Sequence, residues 1–280
     1  MRLLFIRYFV EARRRRRDSV ISIGVDPVAF TIGSFSLRWY GVMVLLAIAF
    51  LVWWSTRSAK AAGYNKDFVL EGALWAIPLG FIGAKLVHVV DNMSHYLDYP
   101  FDMLNPAGLA IFGAILGSML GIWAYCQWKH IPFAAFADSA APGIILAQAI
   151  GRVGCTINGC CYGRPSSLPW AVTWTHPNTY APLGIAVQPT QIYELLWDLL
   201  VFAILWWLLR GRLKQPGALF AAYLALYSLG SFLIRFLRGD VSSFVGTMNE
   251  GQFISLLMFM VATGFLVRQF WALRRPVWRD

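Results

Sequence analysis

From about residue 37 to about residue 273, long apolar stretches alternate with short polar joints. A helix needs about 20 mostly apolar residues to cross the hydrocarbon of a bilayer. The stretches 37–54, 68–90, 108–128, 133–150, 192–209, 217–237 and 252–273 come close to or reach that length, and predict about seven transmembrane helices. The joints between them are brief and charged, with one exception. Residues 152–189 form a long joint rich in glycine, proline and serine. Loops of that length are usually functional or disordered, and its aromatic residues Tyr162, Trp170, Trp174 and Tyr180 argue for order. The expected fold is all-α and integral to the membrane, with about seven helices around a membrane-embedded cavity and a long loop between the fourth and fifth.

Composition supports this pattern. Charged residues make up 14% of the 280-residue chain and hydrophobic ones 58%, against roughly 25% charged in a soluble domain. No polar stretch is long enough for a second domain, so residues 20–280 read as one transmembrane domain. The net charge of +10 does not point to nucleic acid, because the basic residues sit in the flanks of apolar runs, where they set orientation. Arg57, Lys60, Lys66, Lys129, Arg210, Arg212, Lys214, Arg268, Arg274, Arg275 and Arg279 follow the first, third, fifth and seventh runs. The positive-inside rule makes that side cytoplasmic and turns the long loop outward.

The basic residues of the leader 1–19, Arg2, Arg7 and the run at 13–17, conflict with that orientation. A miscounted helix, a true start near Val20 and a genuine basic cytoplasmic leader each resolve the conflict; the start near Val20 is preferred. Four cysteines without paired CxxC units say little about redox compartment.

Ionisable residues inside a membrane are costly and mark function by default. Lys85, His88, Arg152, Glu194, Arg235 and Arg238 fall near the outward ends of their runs; Glu71, Asp138, Gln148 and Asp198 lie within runs. Cations and a few carboxylates at one depth suit an anionic phospholipid headgroup, and arginine binds phosphate oxygens through two parallel N–H groups. The bland alternative is snorkelling, in which a long side chain merely reaches the interface. The densest segment is 151–164, GRVGCTINGCCYGR. Its glycines allow close backbone approach to a ligand, and non-helical backbone at membrane depth must line a covered site. Cys155, Cys160 and Cys161, with His88 or His176, invite a metal reading. Adjacent cysteines are poorly placed to share one ion, so no metal site is assigned; a reactive thiol or plain packing are the alternatives.

The ordered series Asp26-Pro27-Val28-Ala29-Phe30, Arg38-Trp39-Tyr40-Gly41, Gly83-Ala84-Lys85, Gly108-Leu109-Ala110-Ile111-Phe112-Gly113-Ala114, Asp138 with Ala141-Pro142-Gly143, Gln148, the stretch 151–163, Gln188-Pro189-Thr190-Gln191-Ile192-Tyr193-Glu194, Tyr227, Arg238-Gly239-Asp240 and Gly251-Gln252 resembles the bacterial phosphatidylglycerol:prolipoprotein diacylglyceryl transferases. The resemblance implies a seven-helix enzyme of the bacterial cytoplasmic (inner) membrane whose long loop faces the periplasm. Such an enzyme moves the diacylglyceryl group of phosphatidylglycerol onto the lipobox cysteine of preprolipoproteins, with no cofactor. By the matched motifs, Arg152 is expected to hold the phosphate, with Arg235 and Tyr227 as further catalytic candidates. Tyr40, Lys85, Asn158, Gly163, Gln191, Glu194 and Arg238 are the expected substrate-binding residues: Asn158 through hydrogen bonds, Gly163 by letting the chain turn.

The chain departs from the family pattern at several positions. Phe112 stands where many members have histidine, Cys155 and Cys160 where the signature has asparagine and glutamate, and Gln188 where a histidine often precedes Pro-Thr-Gln. Ser231 replaces an arginine and Arg235 a glutamate four residues on. Positions four apart share a helical face, so Arg235 can restore the lost cation one turn away. The proton acceptor is left unidentified, with His88 a candidate. A catalytically impaired relative that binds anionic lipid or lipoprotein signal segments, and an unrelated transporter, are the competing readings.

Overall fold

The computed structural model describes residues 21–274 except 34, 62, 64, 65, 105–109 and 245. The leader 1–19 and the residues at 108 and 109 therefore lie outside the described residues, as does the Phe112 side chain. Three short strands, β1 (Ile21–Ile23), β2 (Val28–Ile32) and β3 (Phe35–Arg38), lead into α1 (Trp39–Ala61) and α2 (Lys66–Asp91). A short α3 (Met93–Asp98), a 3-10 turn (Pro100–Leu104), α4 (Ile111–Trp128) and α5 (Phe133–Asn158) follow. Strand β4 (Val172–Trp174) interrupts the long loop before α6 (Thr190–Ala203), which continues as a π-helical turn (Ile204–Leu209). The last described elements are α7 (Ala218–Ile234), closed by a 3-10 turn (Arg235–Leu237), and α8 (Glu250–Arg274).

Among the described residues, six helices are long and apolar enough to cross a membrane: α1, α2, α5, α6 with its π turn, α7 with its 3-10 turn, and α8. The remaining apolar run forms α4, 18 residues long. Leu74 at 73% exposure, Trp207 at 70% and Val261 at 66% typify a surface that water would reject and lipid accepts, because helices satisfy their backbone polar groups internally.

Two compact units make up the chain, one of residues 1–50 and 144–280, the other of residues 51–143; α1 and α5 pass from one to the other. In the second unit α2 and α4 meet through small residues. Gly113, Gly117 and Gly121 of α4 present bare Cα atoms to the backbone of Gly83, Leu79 and Trp75 on α2. Small residues four apart let two helix backbones approach closely where no hydrophobic drive exists between helices in lipid. A Cβ at Gly117 would strike the Leu79 carbonyl, so Gly117→Leu is expected to push the helices apart. The cost is about 1–3 kcal/mol for overpacking, read as a lowered thermal midpoint in detergent. The base of the unit is an aromatic cluster of Phe68, Tyr125 and Phe136 with Val69, Cys126 and Ala59. Beside it, Glu71 accepts from Tyr125 and pairs with Lys129 at 2.8 Å. Lys85 belongs to this unit, where its ammonium donates to the Tyr96 hydroxyl at 3.2 Å.

In the first unit the N-terminal strands are stitched to the long loop. β1 pairs in parallel with β4, Ile21 to Val172 through Ile23 to Trp174, and β2 pairs antiparallel with β3. These small sheets modify the all-α expectation, since runs of three to five residues carry too little periodicity to be read from sequence. Buried Val172, Trp174, Ala181 and Val187 gather under the loop with Ile23 and Tyr162 against them, and the Trp174 indole donates to the Thr156 carbonyl. The loop is ordered, as its aromatic content predicted. It is also shorter than expected: α5 stays helical through Asn158, so Arg152 sits on a helix and not in a glycine-rich turn. Gly151 and Gly154 mislead here, since a glycine costs a helix only about 1 kcal/mol. Gly154 repays that cost by closeness, its Cα facing the Tyr40 backbone and the Met43 side chain of α1.

Candidate active site

Arg152 lies on the penultimate turn of α5 and Glu194 on the second turn of α6. Their ion pair measures 2.7 Å, with the side chains 15% and 4% exposed. A guanidinium carries five N–H groups; among the described residues Glu194 is the ion-pair partner of Arg152, by proximity and not through an aligned hydrogen bond. The N–H groups are open to an anion, and the carboxylate balances the charge beside them. Other titratable neighbours of Arg152 include Tyr227, Cys155 and Cys161.

Tyr227 of α7 stacks on Tyr223, ring centroids 6.0 Å apart. Its charged neighbours are Arg152, Glu194, Asp198 and Arg235. Arg235 opens the 3-10 turn that ends α7, and its Nε donates to the Ser231 hydroxyl at 3.2 Å. The guanidinium folds back one turn and lies against the Cα of Gly251 on α8. Ser255 of α8 donates to the same Ser231 oxygen at 3.2 Å. Among the described residues Arg235 has no carboxylate partner.

Arg238 is differently employed. Its Nε and Nη2 both reach Asp240 at 2.8 Å, and Asp240 also accepts the Cys161 backbone N–H at 3.0 Å. Burial is the largest single influence and works against its charge, but the Asp240 hydrogen bond together with the negative charges of Cys161, Asp240 and Glu194 holds the Arg238 pKa above the ordinary guanidinium range. The pair acts as a clamp on the loop. Gly163 belongs to the same seam: its N–H donates to the Gln188 carbonyl at 2.9 Å and the next residue's N–H to the Leu237 carbonyl at 2.8 Å. A Cβ there would lie 2.6 Å from the Gln188 oxygen and 3.0 Å from the Leu237 oxygen. Gly163 is thus required for closeness, not for a turn. Gly163→Ala is expected to part this seam and lower activity at least about tenfold, a shift of the order of 1 Å being worth up to about 100-fold; the rate in the intact membrane-embedded protein measures it.

The remaining expected residues divide. Gln191 is fully buried and its amide donates to the Cys160 carbonyl at 2.7 Å. Asn158 accepts from Arg38 Nε at 2.6 Å and donates to Cys160 Sγ at 3.6 Å. Both residues brace the loop, leaving the Gln191 Oε1 without a donor among the described residues. Tyr40 stays half-exposed beside α5, with Arg152 and the three cysteines as its neighbours. The structure therefore brings Arg152, Glu194, Tyr227, Arg235, Arg238, Asn158, Gly163, Gln191 and Tyr40 into one unit, while Lys85 belongs to the other.

Two contributors lie outside the expected site residues, though the sequence singled out Asp198 as an ionisable residue within a run and Arg38 as part of a motif. Arg38 crosses from β3 to Asn158 and to the Asn178 carbonyl, with its guanidinium 4.3 Å from the Tyr180 ring centroid; at a helix entrance it reads as an interfacial anchor. Asp198, one turn beyond Glu194 and 1% exposed, keeps an oxygen without a donor among the described residues. Its nearest charges are Arg152 and Glu194.

The family model for prolipoprotein diacylglyceryl transferase matches residues 27–268. The chain belongs to this family. Similar proteins named phosphatidylglycerol–prolipoprotein diacylglyceryl transferase include one from Dehalococcoides mccartyi, 40% identical over 249 residues, covering 89% of this chain and 95% of its own. One from Clostridium tetani is 34% identical over 240 residues, covering 85% of this chain and 95% of its own. One from Mycobacterium leprae is 33% identical over 256 residues, covering 84% and 78%. This member of the family has, among the described residues, an Arg235 without a carboxylate partner and the thiols of Cys155 and Cys161 near Arg152. The Cys161 thiol is held below the ordinary thiol range by hydrogen bonds with the Cys155 and Cys160 thiols, and then by the charges of Arg238 and Arg152.

Proposed function

We propose that this protein, as a multi-pass protein of the bacterial cytoplasmic membrane, transfers the diacylglyceryl group of phosphatidylglycerol to the lipobox cysteine of preprolipoproteins. The observation that carries the reading is the pair of guanidiniums: Arg152, ion-paired with Glu194 and with N–H groups to spare, and Arg235, which has no carboxylate partner among the described residues. A phosphodiester placed between them gains what each lacks. The acceptor sulfur, as thiolate, attacks the glyceryl carbon that bears the phosphate. The C–O bond to phosphate breaks, a thioether forms, and glycerol phosphate leaves with the electron pair. Negative charge grows on the leaving oxygen, and preorganised cations in a water-poor site stabilise it more than they stabilise the substrate. Tyr227 is suited to orient the headgroup through its hydroxyl, which has no protein partner among the described residues. The basic flanks of the odd-numbered runs support an outward-facing site, where a signal segment emerging from the membrane presents its cysteine.

The test uses phosphatidylglycerol labelled in its terminal glycerol, in vesicles containing the protein. Glycerol phosphate release that depends on a lipobox peptide, and vanishes when the peptide cysteine is serine, is the expected outcome. Release with the serine peptide would identify a lipid hydrolase instead.

A further inference from the structure

Cys155, Cys160 and Cys161 bring their three Sγ atoms within 4.8 Å of one another. Adjacency in sequence argued against a shared ion; the backbone removes that objection. Gly159 (φ 74°) ends α5 in the left-handed region, and Cys161 (φ 63°) returns there, turning both loop thiols back toward Cys155. A non-glycine residue in that region persists only where its surroundings hold it. They do so here: Gln191 and Thr190 bond the carbonyls of Cys160 and Cys161, and Asp240 bonds the Cys161 N–H.

Three sulfurs around one zinc ion at Zn–S of about 2.3 Å sit about 4 Å apart, and a three-ligand zinc site keeps its fourth position open. A disulfide would use two of the thiols and strand the third. Three thiolates around a divalent cation leave one negative charge, and the charges of Arg152 and Arg238 both act on Cys161. Cys155 is three residues beyond Arg152 on α5, hence on the same helical face. We infer that Cys155, Cys160 and Cys161 form a three-thiolate site for one zinc-class cation whose open fourth position takes the acceptor thiol of the lipoprotein substrate. The second half of this inference rests on the proposed transfer reaction. Coordination deprotonates a thiol at neutral pH: the peptide S–H proton passes to water, the metal–sulfur bond forms, and that bond breaks as sulfur attacks the glyceryl carbon. The metal thereby does the work of the proton acceptor that the sequence leaves unidentified.

Purified intact protein, stripped with chelator, is titrated with Zn²⁺ and with Co²⁺. One ion per chain, a sulfur-to-cobalt charge-transfer band and three sulfur ligands by X-ray absorption are expected. Binding should fall at least tenfold in Cys160→Ser and in Cys161→Ser, with thermal unfolding confirming that at least one variant is folded. Adding a lipobox peptide should raise the sulfur count from three to four, and a serine peptide should not. Substoichiometric binding, or binding unchanged in the folded variants, overturns the site. An unchanged sulfur count with peptide, or full-rate transfer by metal-free protein, overturns its role. If no form transfers lipid yet the fourth sulfur appears, the transfer reading fails and the site stands.

Discussion

Replacing Arg152 by glutamine is expected to lower diacylglyceryl transfer by on the order of 10²–10³-fold, the usual cost of removing one preorganised donor from a developing charge. The same change strands the Glu194 carboxylate, 4% exposed, and removing one partner of a buried pair costs about 3–5 kcal/mol of stability. Lost activity could then reflect lost protein, so the informative variant is Arg152→Gln with Glu194→Gln. Neutralising both partners removes the stranded charge, and thermal unfolding should recover most of the difference from wild type. Transfer should not recover, because the phosphate still lacks its cation. Arg152→Lys separates charge from shape: a lysine keeps the charge but loses the planar fork, and an intermediate rate with raised KM is expected. If the double variant transfers at the wild-type rate, Arg152 serves the fold and not the phosphate.

The second large effect concerns Arg235. Arg235→Ala is expected to lower transfer about 100-fold, with a smaller loss of stability than at Arg152, since no carboxylate is left behind. The seat of this side chain gives an independent handle. Gly251→Ala places a methyl group against the guanidinium and should lower the rate while leaving the cation in the chain. The decisive variant exchanges positions: Ser231→Arg with Arg235→Glu rebuilds the arrangement that the family resemblance describes. Recovery of transfer above the Arg235→Ala level is expected, measured as kcat/KM on vesicles. Full activity in Arg235→Ala would show that Arg152 suffices.

Much of the membrane architecture could be read from the chain, because a hydrocarbon layer imposes one coarse requirement, about 20 apolar residues per crossing. Most described residues of the expected runs lie within helices, with Leu37 and Arg38 in β3 instead. The end of α5 differs from the expectation because Gly151, Gly154 and the loop's Gly159 look alike in sequence; Gly151 faces open space on the helix, Gly154 is a helical contact, and Gly159 is a left-handed cap. Site residues were legible where cost marks them: Arg152 and Glu194 are expensive in a membrane unless paired, and they are paired. Partnership was not legible. Arg238 and Arg235 are three residues apart and equally basic in sequence, yet Asp240 occupies the first while Ser231 and Gly251 receive the second. Nor could the thiols be read as a group, because their convergence depends on φ at Gly159 and Cys161 and on bonds from Gln191 and Asp240 that span about 30 to 80 positions of the chain.

The most direct measurement is the mass of a lipobox peptide after incubation with the purified protein in phosphatidylglycerol vesicles. Wild-type protein should add one diacylglyceryl group through a thioether at the peptide cysteine, and the double variant Arg152→Gln with Glu194→Gln, folded to the same extent, should add none. A peptide left unmodified by wild-type protein, in an assay where another member of the family modifies it, would contradict the assignment.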